Sequence, residues 1–297
     1  MLKKLFIMMA CLFVFSCMAT NTSDNNSGLN DPTSTTAVGF TENIHSSLPT
    51  EWVTEYNKIK GILLNLLPLY QKYYKSIVLY AWNSSADPDP YAGVEGGAYI
   101  SVENNDDSIK RFVMEIPNDE FTYNSYHRYS VIAHEFFHTY QQTLNEHMNK
   151  PNADATSFNT KWLIEGPAAV VEGIYIQQHY NYNYIKNDQS QLSSTCTTTP
   201  ESYEDYASSE INYGCSLFLV LVLAKELQLS GTSEAEAFQL IFKSFMSEHP
   251  NKESWKTAFS KTFNMTVDEF YTKVKAYTAS TEAVLPTSTL TLDDIFK

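Results

Sequence analysis

The segment SYHRYSVIAHEFFHTYQQTLNEH, residues 125–147, combines helical spacing of apolar residues with the pattern His-Glu-x-x-His. Residues four apart lie on one face of a helix, so His134 and His138 can direct ring nitrogens to one ion. Glu135 is rotated roughly 100° around the helix and flanks that ion instead of binding it. Apolar neighbours predict a buried helix over about 126–149. The pattern predicts a metal centre, with two hydrogen-bonded core histidines as the alternative.

A hydrolytic zinc site requires a third protein ligand and one open position. In one common arrangement this ligand is a histidine at the position that Leu144 occupies here. His147 breaks that spacing, and Asp154 lies in a polar loop without a supporting pattern. Glu165 remains, in the otherwise apolar segment KWLIEGPAAVVEG, residues 161–173, where a carboxylate is costly unless something pairs with it or coordinates it.

Two segments in this order, VIAHEFFH (residues 131–138) and WLIEGPAAVVEG (residues 162–173), resemble the gluzincin metallopeptidases. In that family a glutamate in a W-L-x-E-G-x-A segment joins the two histidines of H-E-x-x-H. The segment INYGCSLFLVLVLAKEL, residues 211–227, is similar to the Tyr-Gly helix of several secreted members. The resemblance implies a zincin-like fold and one Zn²⁺ ion with three ligands: His134, His138 and Glu165.

The same resemblance implies a mechanism of peptide-bond hydrolysis. Glu135 would take a proton from the zinc-bound water and pass it to the leaving amine. A further donor normally stabilises the oxyanion, and Tyr213 is the first candidate, with Tyr203 and Tyr206 behind it; packing is the alternative role for each. The strand around Gly97–Val102 would bind an extended peptide along its edge.

Glu172 is the second acid of the 161–173 segment. It follows Glu165 by two helical turns, about 10 Å along the axis, so one ion cannot take both carboxylates. Metal-bound histidines usually donate their other ring N–H to a carboxylate. In the aminopeptidase branch of the family an acid at this position serves the first histidine, so the resemblance implies that Glu172 orients His134. An ordinary exposed helix acid is the alternative. Because proline fits the first turn of a helix, Pro167 predicts that the helix begins near 163–166.

Gly166 should allow close approach of this helix to the one that carries the two histidines.

The N-terminus predicts export and attachment to a membrane. Residues 1–16 place two lysines before an apolar run, as in an export signal. VFSC, residues 14–17, resembles a bacterial lipobox and implies lipidation of Cys17; a plain signal peptide or an uncleaved anchor are alternatives. Residues 17–47 are mostly polar and predict a disordered tether. We therefore expect a lipid anchor on a bacterial membrane or cell surface.

Strands are predicted before helices in the remaining chain, which indicates an α+β fold. Glu51–Tyr74 has helical spacing that Pro68 should end or kink, and the NNDD turn predicts a hairpin. The expected strands lie near 76–82, 96–103 and 109–116, and the later helices near 126–149, 162–180, 213–229, 233–248, 251–262 and 266–279. We expect one zincin-like domain over 48–297, with a small mixed β-sheet and the active-site helix in 48–150 and a mostly helical part in 151–297.

Composition limits the partners. The net charge is −14, and loss of the signal with its two lysines makes it −16, which disfavours nucleic acid. The expected partners are a peptide or protein substrate and a membrane reached through the lipid; the oligomeric state stays open. Outside the signal and the lipobox, Cys196 and Cys215 form either a disulfide, which export permits, or two buried thiols.

Three functions are compatible with these features. The first is a tethered zinc peptidase. The second is an aminopeptidase of the same clan, because Val102-Glu103-Asn104 is faintly similar to an exopeptidase motif. The third is a surface lipoprotein that uses the fold only for binding, although such a module has no need to keep Glu135.

Overall fold

A computed structural model describes residues 34–151, 154–190, 192–206 and 213–297. One four-stranded mixed sheet has the order β1-β2-β4-β3. Strand β2 pairs in parallel with β1 and β4, and β3 pairs antiparallel with β4. The strands are β1 (Gly39–Ile44), β2 (Ser76–Asn83), β3 (Ala98–Glu103) and β4 (Asp106–Ile116).

Helices fill most of the chain after the sheet, which is consistent with the predicted α+β class. Helix α1 (Thr50–Leu66) precedes β2. Helices α2 (Asn118–Thr122), α3 (His127–Leu144) and α4 (Lys161–Tyr180) follow β4. Next come α5 (Tyr184–Asn187), α6 (Thr195–Thr198) and α7 (Tyr213–Leu229). The chain continues through α8 (Glu234–Gln239), a π-helical stretch (Leu240–Ser244), α9 (Phe245–Ser247), α10 (Trp255–Phe263), α11 (Val267–Val274) and α12 (Leu292–Phe296). Short 3₁₀ helices occur at Glu146–Asn149 and Pro200–Tyr203.

The three predicted strands and the hairpin are confirmed. Asn104 and Asn105 form the turn between β3 and β4 with φ angles of 49° and 61°, a left-handed conformation that asparagine tolerates. In β2 the alternate residues Ile77, Leu79 and Ala81 are fully buried, as expected for a strand with one face on the core.

Strand β1 corrects the prediction of a tether that extends to residue 47. Residues 39–44 pair with β2 instead. The sequence GFTENI has no apolar run because this strand lies at an edge of the sheet and is only partly buried. The signal segment, Cys17 and the tether up to residue 33 lie outside the described residues.

Helix α1 agrees with its predicted spacing. Its buried residues are Trp52, Tyr56, Ile59, Leu63 and Leu66, and the helix ends at Leu66, before Pro68. It packs on α3, α3 packs on α4, and α4 packs on α7. Helix α7 is buried along most of its length, so α3 and α4 meet inside the core with an apolar helix behind them.

Helix α4 begins earlier than predicted and corrects the expected place of Glu165. It starts at Lys161, so Pro167 lies inside the helix and Glu165 in its second turn. Proline removes one helical hydrogen bond there, and burial on all sides of this segment offsets that loss. The metal-ligand candidate is consequently held by a rigid helix and not by a flexible entry.

Gly166 is required by contact with α7 and not, as predicted, by contact with the histidine helix. A Cβ atom at this position would lie 2.3 Å from the carbonyl oxygen of Ser216 and 2.6 Å from a methyl carbon of Val220. Atoms do not approach so closely without a backbone shift. The glycine therefore sets the distance between α4 and α7.

We expect Gly166→Ala to destabilise the fold by about 1–3 kcal/mol, because the added methyl overlaps backbone that must move. Gly61→Ala is the matched control, since Gly61 is also helical but a Cβ there meets nothing within 4 Å. The control should stabilise by roughly 0.5–1 kcal/mol. Denaturant unfolding of both variants measures the difference, and equal effects at the two sites would contradict the close packing of α4 on α7.

A disulfide joins Cys196 in α6 to Cys215 in α7, with Cα atoms 5.1 Å apart. This confirms the first of the two alternatives for these cysteines. The bond attaches the segment after α5 to the apolar helix behind α4. Across the described ranges, none of the helices has the length and apolarity needed to span a membrane.

Candidate metal centre

Helix α3 brings His134, Glu135 and His138 together inside the protein. Their exposed fractions are 8%, 6% and 9%, and one nitrogen or oxygen of each lies within 4.8 Å of the others. The four-residue spacing places the imidazoles on one face, with ring centroids 4.8 Å apart. The predicted cluster is therefore formed, and it is shielded from bulk water while still touching the surface.

Glu165 of α4 completes the cluster. Its Oε2 atom lies 3.3 Å from Nε2 of His134 and 3.3 Å from Nε2 of His138. Donor atoms bound tetrahedrally to zinc at about 2.0–2.1 Å are separated by about 3.3–3.4 Å. The two separations from Oε2 of Glu165 thus match the spacing of ligands around one tetrahedral ion, and the donor set of two imidazoles and a carboxylate is compatible with zinc.

The other candidates for a third ligand have different neighbours. Nε2 of His147 lies 3.8 Å from Glu146. The carboxylate of Asp154 accepts hydrogen bonds from the backbone and hydroxyl of Thr156. Neither residue belongs to the cluster on α3, which supports the elimination made from the sequence.

Electrostatics of the cluster favour positive charge between its carboxylates. Burial alone would lower the pKa of His134, but Glu165 and Glu172 raise it well above its usual value. Burial raises the pKa of Glu165, but His138 and His134 lower it well below its usual value. Three buried carboxylates surround the two imidazoles, and a divalent cation held by His134, His138 and Glu165 would supply compensating positive charge.

Glu135 differs from Glu165 in its surroundings. Burial raises the pKa of Glu135, although the two histidines oppose this shift. A carboxylate with a raised pKa binds a proton more readily than a solvated one, which suits a general base. Two glutamates of one site are therefore tuned in opposite directions by their neighbours.

Glu172 lies behind His134, as the sequence predicts. Its Oε2 atom is 3.7 Å from Nδ1 of His134, on the opposite edge of the ring from Glu165. Gln189 donates a hydrogen bond to Oε1 of Glu172. The side chain is buried, with 6% of the residue exposed, so the alternative of an exposed helix acid is wrong.

We expect Glu172→Gln to lower zinc affinity roughly 10- to 100-fold, because the charged partner of His134 is lost. Competition with a chromophoric chelator at fixed pH measures the affinity. Glu226→Gln is a matched control, since Glu226 is as buried as Glu172 but pairs with Lys273 and not with a histidine of the cluster. Equal affinities of the Glu172 variant and wild type would leave Glu172 with a packing role only.

Sequence reasoning did not identify Gln141, which contacts the other histidine. Its Oε1 atom lies 2.8 Å from Nδ1 of His138. Nδ1 of each imidazole therefore faces a polar side chain, the carboxylate of Glu172 for His134 and the amide of Gln141 for His138. The available signal was the position of Gln141 one helical turn after His138.

The three tyrosine candidates occupy different places. The Tyr206 hydroxyl donates to Oε1 of Glu165 at 2.5 Å. Loss of water around this hydroxyl together with Glu165 raises the pKa of Tyr206 well above its usual value, although 41% of the residue is exposed. The Tyr213 ring lies edge-on to His134, with centroids 6.2 Å apart. Tyr203 is buried and its hydroxyl bonds to Thr195 at 2.6 Å. Tyr206 and Tyr213 thus both lie against residues of the cluster.

Glu103, the centre of the faint exopeptidase motif, is already paired. Its Oε2 atom accepts a 2.6 Å hydrogen bond from Nε of Arg111, and its Oε1 atom accepts bonds from Asn104 and Tyr80. Its charge is therefore neutralised within the sheet.

Comparison with protein-family models and with curated proteins finds no match for this chain. Functional inference thus depends on the geometry and chemistry of the cluster.

Proposed function

We propose that this protein is an exported zinc-dependent peptidase of the gluzincin type, tethered to a bacterial membrane or cell surface by lipid on Cys17. The main support is the convergence of His134, His138 and Glu165: one carboxylate oxygen of Glu165 lies 3.3 Å from Nε2 of each histidine, the separation of two ligands on one tetrahedral ion. Glu135 beside them supplies a base that a purely structural metal site does not need. The mixed sheet and the buried histidine helix are compatible with a zincin-like fold.

Zinc is the ion that this donor set suits best, because imidazole nitrogen and carboxylate oxygen are its usual catalytic ligands. A bound zinc ion would supply Lewis acidity towards the scissile carbonyl and lower the pKa of water. The ligands His134, His138 and Glu165 would leave one coordination position open, as catalytic sites require.

The proton transfers belong to Glu135. Its carboxylate would accept a proton from the attacking water and return it to the nitrogen of the leaving amine. Its burial limits the access of bulk water to this carboxylate.

Tyr206 and Tyr213 are the two candidate donors for the developing oxyanion. The Tyr206 hydroxyl donates its one proton to Oε1 of Glu165 and would have to leave that carboxylate to serve an oxyanion. The Tyr213 ring lies next to His134.

Strand β3 is the candidate platform for an extended peptide. It forms an edge of the sheet and contacts α3, the helix with the catalytic motif. An edge strand offers backbone donors and acceptors to which a substrate strand can add.

The two other functions are less well supported. An aminopeptidase needs an anionic group to bind the substrate's amino terminus. The candidate for that group, Glu103, already forms an ion pair with Arg111. A binding module would not need a buried carboxylate with a raised pKa next to the ligand set.

Hydrolysis of a mixed peptide library by the mature protein tests the proposal. We expect internal cleavage that a zinc chelator abolishes and that one equivalent of zinc restores. Tyr206→Phe and Tyr213→Phe in the same assay distinguish the two oxyanion donors, with a loss of about 10²–10³ in kcat expected for the donor. A zinc-loaded protein that cleaves no peptide would overturn the enzymatic function, and release of N-terminal residues alone would establish the aminopeptidase.

A further inference from the structure

Gln141 connects the two helices of the cluster, and none of the roles described above uses it. The residue is fully buried in α3. Its Oε1 atom lies 2.8 Å from Nδ1 of His138, and its Nε2 atom donates to the backbone carbonyl of Ile164 at 3.1 Å. Ile164 directly precedes Glu165, so one amide contacts a ligand on α3 and the backbone beside a ligand on α4.

The Ile164 carbonyl determines which way the Gln141 amide faces. A backbone carbonyl accepts hydrogen bonds and cannot donate, so the NH₂ group faces Ile164 and the amide oxygen faces His138. The amide oxygen also accepts only, so Nδ1 of His138 carries the proton. When the ring is neutral, as a metal ligand must be, Nε2 keeps its lone pair. Nε2 is the atom that lies 3.3 Å from Oε2 of Glu165.

A neutral amide suits this position better than a carboxylate does. Glu135, Glu165 and Glu172 already place three buried carboxylates around the two imidazoles. A fourth carboxylate at position 141 would add negative charge and would oppose the Ile164 carbonyl. The amide accepts from His138 and donates to Ile164 without adding charge.

We propose that Gln141 is a positioning residue that holds His138 in the metal-ligating tautomer and fixes the backbone next to Glu165. The assignment rests on the proposed zinc site, and it concerns metal affinity and not substrate. Its effect passes through His138, because Gln141 itself offers no atom to the ion. Gln141→Met nearly preserves side-chain volume but removes both hydrogen bonds, and should lower zinc affinity roughly 10- to 100-fold.

Chelator competition on the folded mature protein tests this, with zinc as the only added ligand. Gln142→Met is the matched control, because Gln142 is the next residue of α3 and points about 100° away; its zinc affinity should stay within about threefold of wild type. Gln141→Glu keeps an acceptor for Nδ1 and should bind zinc more tightly than Gln141→Met. Long-range ¹H–¹⁵N spectra of the zinc-loaded wild type should show His138 protonated at Nδ1.

Wild-type affinity in Gln141→Met, or equal losses in the Met and Glu variants, would overturn the assignment. A role limited to packing would lower the melting temperature without changing zinc affinity. If circular dichroism shows that Gln141→Met is unfolded, Gln141→Asn replaces it, because the shorter side chain cannot reach Nδ1 of His138. A loss of zinc affinity in Gln141→Asn would then support the assignment, and wild-type affinity would overturn it. If the wild type binds zinc but hydrolyses no peptide, the proposed activity is wrong and the positioning role of Gln141 still stands. If the wild type binds no zinc, the proposed activity and the role of Gln141 are both wrong.

Discussion

Glu135→Gln should lower kcat for peptide hydrolysis by about 10²–10⁴ while one equivalent of zinc stays bound. The amide has nearly the shape of the carboxylate but cannot accept the proton of the attacking water. Zinc retention is expected because the proposed ligands are His134, His138 and Glu165, with Oε2 of Glu165 lying 3.3 Å from Nε2 of each histidine. Single-turnover rates and metal analysis of the same samples measure the two quantities separately.

Glu226→Gln is the matched control, because it also converts a buried glutamate to an amide. It should leave kcat for internal cleavage unchanged, since Glu226 pairs with Lys273 and Tyr277. If instead Glu226→Gln abolishes activity and Glu135→Gln does not, the base is misassigned. Melting temperatures of both variants separate loss of chemistry from loss of folding.

Local patterns predicted those elements whose signals lie within one or two helical turns. Helical spacing of apolar residues predicted α1, and the four-residue interval placed His134 and His138 on one face. In both cases one periodicity determines the result. Glu165 came instead from elimination and from the order of the two motifs as the candidate third ligand, and its Oε2 atom lies beside both histidines.

Features that depend on distant segments were missed. Strand β1 is short and half exposed, so its pairing with β2 leaves no apolar run in the sequence. Pro167 indicated a later start for α4, but tertiary packing overrides this local preference. The partner of Gly166 could not be inferred, because nothing near it in the sequence specifies contact with Ser216.

The polar neighbours of the cluster follow the same rule. Glu172 was predicted because the resembled family has an acid two helical turns after the glutamate that Glu165 matches. Tyr206 approaches Glu165 from a segment 41 residues further along the chain, so only the folded structure shows that its hydroxyl contacts this carboxylate. Gln141 is local to His138, but its second hydrogen bond, to Ile164, spans two helices.

His138→Ala should lower zinc affinity by about 10²–10³, because the 10–16 kcal/mol of a four-ligand zinc site corresponds to roughly 2.5–4 kcal/mol for each ligand. Zinc at 100 times its Kd stabilises a folded protein by about 2.7 kcal/mol, or roughly 5–10 °C in melting temperature for a domain of this size. A 100-fold weaker site at the same zinc concentration retains only about 0.4 kcal/mol of this stabilisation. Thermal unfolding with and without zinc therefore detects the loss without any substrate.

His147→Ala provides the control for that experiment, because His147 also follows the motif on the chain but contacts Glu146 and not the cluster. It should keep the full zinc-dependent rise in melting temperature. The alternative that His134 and His138 are ordinary core histidines makes a different prediction: zinc would not stabilise the wild type, and His138→Ala would act only through lost packing. A zinc-dependent rise that survives His138→Ala but disappears in His147→Ala would place the ion elsewhere. The expected pattern, loss in the first variant and retention in the second, ties zinc binding to the imidazole that lies 3.3 Å from Glu165.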